Sequence, residues 1–227
     1  MQHGYQCGMI WGATLAAGAE AYRLYGPGPQ AEAQAIIAAQ NLVDAFQTYS
    51  GEINCLEITD LDKSSSTMKM IYVFLIKGKT IACMRMSAKY ARIAFKVINN
   101  TFSEELVKAP SPLVSCTAML AQKMGLTDIQ TVMAAGFAGG IGLCGGACGA
   151  LGAAIWINGI NKGKEPDSKI DFNDPKAAEI IENFLKSSDY EFECSAIVGR
   201  KFENIEDHAN YIREGGCSEI IETLVKM

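Results

Sequence analysis

The sequence has few histidines and no closely spaced cysteine pair. The two histidines are His3 and His208, neither lies next to a cysteine, and no Cys-x-x-Cys occurs. These absences exclude a covalently attached c-type haem, which needs Cys-x-x-Cys-His, and they argue against a Ser-His-acid catalytic site. They also leave the chain without the usual dithiol signature of thiol-disulfide exchange.

Positive charge is also scarce. The 227-residue chain has 20 Lys and Arg against 25 Asp and Glu, a formal net charge of -5. Because nucleic-acid binding depends on neutralising phosphates with Lys and Arg, this balance argues against a nucleic-acid partner. The first 19 residues contain no Lys or Arg, so they lack the charged start of a secretory signal peptide, and we expect a cytoplasmic protein.

Charged residues are absent from 129–161, a run long enough to cross a bilayer. Nine of its positions are glycine, and the Gly-Gly pairs at 139/140 and 145/146 should interrupt a continuous helix. We therefore expect no membrane span there, but two buried helices around a Gly-rich turn.

The hydrophobic pattern is helical along nearly the whole chain. Periodic apolar residues predict helices at 6–24, 30–49, 81–97, 113–124, 128–137, 147–160, 175–187 and 205–227. The apolar run 68–76 favours strand by composition, but no strand of similar quality exists to pair with it, so we expect a helix there too. The predicted fold is all-α, a bundle of about 8–9 helices.

Cysteine is abundant, with eight residues, and its spacing repeats. Two sets of three follow similar intervals, 48 and 28 residues in the first and 46 and 23 in the second. The sets are Cys7, Cys55 and Cys83, and Cys148, Cys194 and Cys217. Between the first two cysteines of each set, 38–55 aligns without a gap to 177–194. The spacing predicts a pseudo-duplicated three-cysteine unit.

The repeat divides the chain into two units. We assign 1–109 to a degenerate first unit and 110–227 to a complete second one, with the linker Ala109-Pro110-Ser111-Pro112 between them. Cys116 lies 32 residues before Cys148, and its counterpart in the first unit would fall before Met1. We therefore expect the first unit to lack an N-terminal segment, or a partner subunit to supply the ligand. The two units should pack as one globular body.

Several of these residues together form a known pattern. Cys116, the Gly-rich run 135–142, Cys148-Gly149-Ala150, Cys194 and Cys217 resemble the redox-active C-GCAxxG-C-C family. That family is similar to the iron-sulfur part of split-Soret cytochrome c. The likeness covers 113–227, although Ala147 and Gly149 replace the first Gly and the Ala of the motif, so that small residues persist where identities change.

The resemblance implies a function for four cysteines. By likeness to the family, Cys116, Cys148, Cys194 and Cys217 ligate an iron-sulfur centre, with 2Fe-2S favoured, or act as a redox thiol set. The covalent haem of the cytochromes is not carried over, because the chain lacks its attachment motif. The implied protein is a metal-binding electron carrier, and whether it is also an enzyme is left open.

The region around Cys148 suits a sulfur-ligated cofactor. The first turn of a helix offers free amide groups and the positive end of the helix dipole, which favour a thiolate. Gly145, Gly146 and Gly149 would let the backbone approach sulfur closely, and we predict these three as cofactor-binding positions. A weaker hypothesis is a second site made of Cys7, Cys55, Cys83 and Cys144.

Two other function classes remain open. One is a thiol-disulfide redox protein or reductase subunit without a cluster. The other is a structural zinc-binding subunit, although zinc sites usually draw ligands from pairs two to four residues apart and only Cys144/Cys148 approaches that spacing.

The sequence also suggests partners. Basic residues give the central helices a face that could dock an acidic redox partner. They are Lys77, Lys79, Arg85, Lys89, Arg92 and Lys96. Close-packing Gly/Ala-rich helices and a unit that lacks its first segment favour a homodimer.

Overall fold

The computed structural model describes residues 5–61, 65–103, 115–164 and 174–227. Within these ranges the chain has twelve α-helices and no strand, and nine of the helices have seven or more residues. The helices are α1 (Gly8–Tyr25), α2 (Pro29–Ser50), α3 (Cys55–Thr59), α4 (Thr67–Ile71), α5 (Lys79–Ser103), α6 (Cys116–Lys123), α7 (Asp128–Ala135), α8 (Gly149–Gly163), α9 (Pro175–Ser187), α10 (Cys194–Val198), α11 (Ile205–Arg213) and α12 (Ser218–Val225). The all-α prediction is confirmed, and the run expected to be helical at 68–76 is α4 continued by a π-helical turn, Tyr72–Ile76.

The first two helices form a hairpin. Gly26 and Gly28 between them have φ of 72° and 110°, conformations that glycine adopts without a Cβ clash. Pro29 is the first residue of α2, where its missing N–H costs nothing. Small residues bring α1 close to α7 as well, since a Cβ on Gly18 would lie 2.5 Å from the Cα of Met133.

Two large apolar clusters form the core. The larger one contains residues of α6, α8, α9 and α12, and it includes Cys116, Cys148 and Cys194. The smaller one joins α1, α2 and α5 around Phe46 and Tyr90. Ring centroids of that pair are 4.7 Å apart in an edge-to-face arrangement, and the Tyr90 hydroxyl donates to the carbonyl oxygen of Leu42 at 2.9 Å.

A left-handed turn separates α7 from α8. Five consecutive residues, 139–143, have φ between 57° and 77°, including Ile141 and Leu143, for which this region is costly. Ile141 is fully buried in the smaller cluster, and a Cβ on Gly142 would lie 2.2 Å from the backbone nitrogen of Gln40. The turn therefore packs closely against the N-terminal half of the chain. The expected pair of buried helices around a Gly-rich turn is confirmed, and no helix in the described ranges is long and apolar enough to cross a membrane.

Some predicted boundaries were wrong. The helix expected over 205–227 is two helices, α11 and α12, because Gly215 and Cys217 have positive φ of 94° and 59° and end the helical path between them. The helix expected over 81–97 is α5, which begins at Lys79 and continues to Ser103, so that Cys83 lies in its second turn. The linker at 109–112 and the predicted helix start at 113 lie outside the described residues, as does His3.

Candidate functional site

The four cysteines of the C-terminal half lie in one region. Cys116, Cys148 and Cys194 are at most 9% exposed, and Cys217 is half-buried. The other three thiols, when ionised, raise the pKa of the Cys116 thiol, and Cys148 and Cys217 do the same to the Cys194 thiol. Residues separated by 32, 46 and 23 positions in the sequence are therefore neighbours in the fold.

Each of these cysteines stands where a helix begins. Cys116 and Cys194 are the first residues of α6 and α10, and Cys148 and Cys217 are the N-caps of α8 and α12. The first N–H groups of a helix have no partner within it, and the helix dipole is positive there. Helix starts therefore supply the region with hydrogen-bond donors and partial positive charge.

Hydrogen bonds to sulfur follow from this placement. The Cys148 sulfur accepts bonds from the backbone N–H groups of Ala150 and Leu151, and each lowers the pKa of that thiol. The Cys116 sulfur accepts one from the N–H of Gly139, in the left-handed turn. The Tyr211 hydroxyl donates to the Cys217 sulfur. Three of the four thiols thus have a donor that would stabilise a thiolate.

Burial nevertheless has the largest effect on the pKa of each of these thiols, and it raises that pKa. It raises the pKa of Cys217 to about 11 and that of Cys116 well above its ordinary value, and it also raises the pKa of Cys148 and Cys194. Adjacent thiols raise the pKa of Cys116, Cys194 and Cys217 further, because neighbouring negative charges repel. The four sulfurs therefore keep their protons unless a cation replaces them, as metal ions do when they bind Cys thiolates.

The number and kind of these side chains bear on which group they could hold. Among the described residues, no three or more His, Cys, Asp or Glu side chains are placed so that they could hold one metal ion. All eight cysteines are free thiols. In number, kind and burial, the four donors fit a cluster.

The three glycines predicted as cofactor-binding positions make backbone contacts that position the cysteines. The carbonyl oxygen of Gly146 accepts a hydrogen bond from the N–H of Cys194 at 2.7 Å, and that of Gly145 accepts one from the N–H of Ser195 at 3.0 Å. A Cβ on Gly149 would lie 1.8 Å from the carbonyl oxygen of Phe137. These contacts set Cys148 and Cys194 side by side. Direct contact of the glycines with a cofactor stays a prediction.

A comparison with protein families matches this half of the chain. A family model described as "Putative redox-active protein (C_GCAxxG_C_C)" matches residues 114–227, half of the chain. The chain belongs to the C_GCAxxG_C_C family. The matched residues include all four cysteines of the buried set, so the resemblance seen in the sequence is confirmed, and the chain is a redox-active, cysteine-rich protein by its family. No curated protein and no solved structure matches the chain.

Cysteines outside the C_GCAxxG_C_C match form a second group of three. Cys7 experiences the charges of Cys55 and Cys83, and Cys83 that of Cys55. Cys7 is buried and is the N-cap of α1, whereas Cys55 and Cys83 are half-buried. The structure thus brings these three predicted residues together.

Cys144, the fourth residue of the weaker predicted site, packs against the same apolar cluster as Cys7, but other groups act on its thiol. The charged groups that act on it are Asp44 and Lys201, and burial raises the pKa of its thiol to about 11. Its sulfur lies 3.6 Å from the carbonyl oxygen of Gly142. Its position indicates a packing role beside the left-handed turn of the C_GCAxxG_C_C half.

Two residues that contact the C_GCAxxG_C_C half near the cysteines were missed in the sequence. Tyr211 reaches Cys217 because the chain turns back between α11 and α12, where a Cβ on Gly216 would lie 2.2 Å from the Tyr211 ring. The Gly215-Gly216 pair was the available signal for that turn. Gln6 lies far from this half in sequence, yet its side chain donates to the Gly140 carbonyl oxygen at 3.1 Å and accepts from the Ala147 N–H at 2.8 Å.

Proposed function

We propose that the chain is an electron-transfer protein that binds an iron-sulfur cluster, with 2Fe-2S favoured, through Cys116, Cys148, Cys194 and Cys217. The main support for this is the grouping of four free thiols, three buried and one half-buried, within the residues that the redox-active family model matches. Iron-sulfur clusters are held by four Cys thiolates in their common forms. A bound cluster would supply a one-electron couple to this protein.

The chain's own residues would tune that couple. N–H groups directed at Cys116 and Cys148 stabilise the extra negative charge of a reduced centre and raise its potential, whereas burial opposes added charge and lowers it. Cys217 is the most exposed of the four, and the Tyr211 hydroxyl lies beside it. We infer that electrons enter and leave on the Cys217 side.

One experiment separates this function from its rivals. The protein purified without oxygen should contain iron and acid-labile sulfide and show visible charge-transfer absorption that reductant bleaches. Replacing Cys148 with Ser should remove the iron, the sulfide and the absorption that belong to this centre, whereas Cys144→Ser serves as the matched control and should keep them. A colourless, metal-free protein with reactive thiols would instead establish thiol-disulfide chemistry, and bound zinc that is insensitive to reductant would establish a structural site.

A partner surface is proposed on residues 67–103, called here the basic face. That segment contains seven Lys and Arg and no Asp or Glu, in a chain of net charge -5. Eight large apolar side chains are also exposed there: Met68, Ile71, Tyr72, Leu75, Ile76, Ile81, Met84 and Phe95. The positive charge fits an acidic redox partner protein. The exposed apolar side chains fit a partner whose docking surface has an apolar centre.

Oligomerisation and location complete the proposal. Two basic faces would repel each other, so the proposed homodimer would form through another surface, and sedimentation equilibrium measures it directly. Eight free cysteines support a reducing compartment, and we propose the cytoplasm.

A further inference from the structure

The backbone around Cys7 and Cys55 repeats the backbone around Cys148 and Cys194. In both places the earlier cysteine pairs with the segment just before the later one through two hydrogen bonds and an isolated antiparallel bridge. The bonds are Cys7 N–H to Ile53 O at 2.8 Å and Cys55 N–H to Tyr5 O at 3.0 Å, against Cys148 N–H to Phe192 O at 2.7 Å and Cys194 N–H to Gly146 O at 2.7 Å. The bridges are Gln6 to Asn54 and Ala147 to Glu193.

The local conformations agree as well. Cys7 and Cys148 are N-caps with φ/ψ of -57°/134° and -54°/118°. Cys55 and Cys194 each begin a five-residue helix that ends at a residue with positive φ. The Cys7 sulfur accepts a hydrogen bond from the N–H of Met9, two residues on, as the Cys148 sulfur does from Ala150. The N-terminal half therefore reproduces a ligand-holding geometry, and not only a spacing.

The N-terminal group differs from the C-terminal one in having three thiols. The thiol of Cys144, the fourth residue predicted for this site, is instead acted on by Asp44 and Lys201. Cys83 lines a cavity of about 330 Å³ together with Glu57, Lys79 and Met86. One side of this group is thus open to a space large enough for a small molecule.

We propose that Cys7, Cys55 and Cys83 hold a second iron-sulfur cluster, of the 4Fe-4S type, whose one unligated iron faces this cavity. Three thiolates fit that type because each iron takes one, whereas a 2Fe-2S cluster takes two thiolates per iron. The open position would take a small ligand with an oxygen, nitrogen or sulfur donor atom. The inference rests on the proposed function only in assigning iron and sulfide to this chain.

Two double variants separate the centres. Cys7→Ser/Cys55→Ser should keep about two irons per chain and Cys148→Ser/Cys194→Ser about four, against about six in the unaltered chain. If the first variant keeps all the iron and the full EPR spectrum of the unaltered chain, the second centre is refuted while the proposed function stands. If the second variant keeps all the iron, the proposed function fails and the N-terminal centre stands alone.

A measurement on the unaltered chain tests the proposal even if the variants fail to fold. Mild oxidation with ferricyanide releases an iron that no thiolate holds, leaving a three-iron cluster with its own EPR signal in the oxidised state. We expect this signal from the unaltered chain and from Cys148→Ser/Cys194→Ser, and added cyanide should perturb the spectrum of the reduced centre. An unaltered chain that gives no three-iron signal overturns the proposal.

Discussion

The backbone N–H of Cys194 donates a hydrogen bond to the carbonyl oxygen of Gly146, two residues before Cys148, at 2.7 Å. This bond ties the start of α10 to the start of α8 and sets the separation of two of the four buried thiols. The return bond, from the Cys148 N–H to the Phe192 carbonyl oxygen, also measures 2.7 Å. Because each cysteine is held by backbone, the pair is organised before any cofactor binds.

Close packing at Gly149 supports this pair, and its loss should be measurable. A Cβ there would lie 1.8 Å from the carbonyl oxygen of Phe137, so Gly149→Ala forces the start of α8 away from the turn. We expect it to lower the free energy of unfolding by about 1–3 kcal/mol and to reduce bound iron.

The control for that change lies in the same helix. In the described part of the chain, a Cβ on Gly159 would meet no atom within 4 Å beyond the backbone of its own helix, so Gly159→Ala should raise stability by about 0.5–1 kcal/mol. Urea unfolding of both variants makes the comparison. Equal effects would show that Gly149 packing does not matter.

Tyr211 should tune the redox potential without holding the fold together. Its hydroxyl donates to the Cys217 sulfur, a bond that strengthens as the centre gains negative charge. Tyr211→Phe should therefore lower the potential by about 20–60 mV, equivalent to about 0.5–1.4 kcal/mol for one electron. Redox titration followed by EPR measures it. Tyr190→Phe, at a side chain that is 73% exposed, should leave the potential unchanged, and a shift of equal size there would contradict the assignment.

Helical periodicity predicted most of the fold because apolar spacing reports which face of a helix is buried. The periodicity failed to predict helix boundaries where the backbone conformation ends a helix although the apolar spacing continues. Apolar positions continue at helical intervals from Ile212 to Ile220 across the Gly215-Gly216 break, so the pattern alone showed one helix where there are two. The short helices α3 and α10 span five residues each, too few for a periodic signal.

The candidate site was predictable only in part for a related reason. Cysteine spacing and the family pattern identified the thiols, since those residues carry the chemistry themselves. The donor from Gly139 depends on a left-handed turn that includes Ile141, and β-branched residues are normally excluded from that conformation. Tyr211 depends on the break before α12. Such contributions come from tertiary structure, which local sequence patterns do not report.

Charge reversal on the basic face should slow electron exchange with an acidic partner. With a reduced acidic plant-type ferredoxin as the probe, Lys89→Glu/Arg92→Glu should cut the rate at least about tenfold at low ionic strength, because steering by opposite charges is lost. The difference should vanish at high salt, where charges are screened. Lys123→Glu/Lys226→Glu makes the same change in net charge elsewhere. Equal slowing by both variants in stopped-flow measurements would argue against docking at this face.

His208 should make the fold sensitive to mild acid. It is 1% exposed, its Nδ1 has no hydrogen-bond partner among the described residues, and burial lowers its pKa to about 4. Since the folded pKa lies below the ordinary value near 6.5, the folded state favours the neutral ring. The contribution of His208 to the free energy of unfolding is therefore fully present above about pH 6.5. It is lost as the pH falls toward 4, by up to about 3 kcal/mol.

Glu32 has the opposite effect on stability as the pH falls. Burial raises its pKa to about 7, so the folded state gains stability when this carboxyl takes up a proton below that pH. The effect of His208 is therefore read from a difference between chains. His208→Leu should lose less stability than the unaltered chain between pH 7 and pH 4.5 in urea unfolding, by about 2 kcal/mol. Identical pH profiles for the two chains would show that His208 is not protonated on unfolding in this range, and would remove it as the acid-sensitive group of the fold.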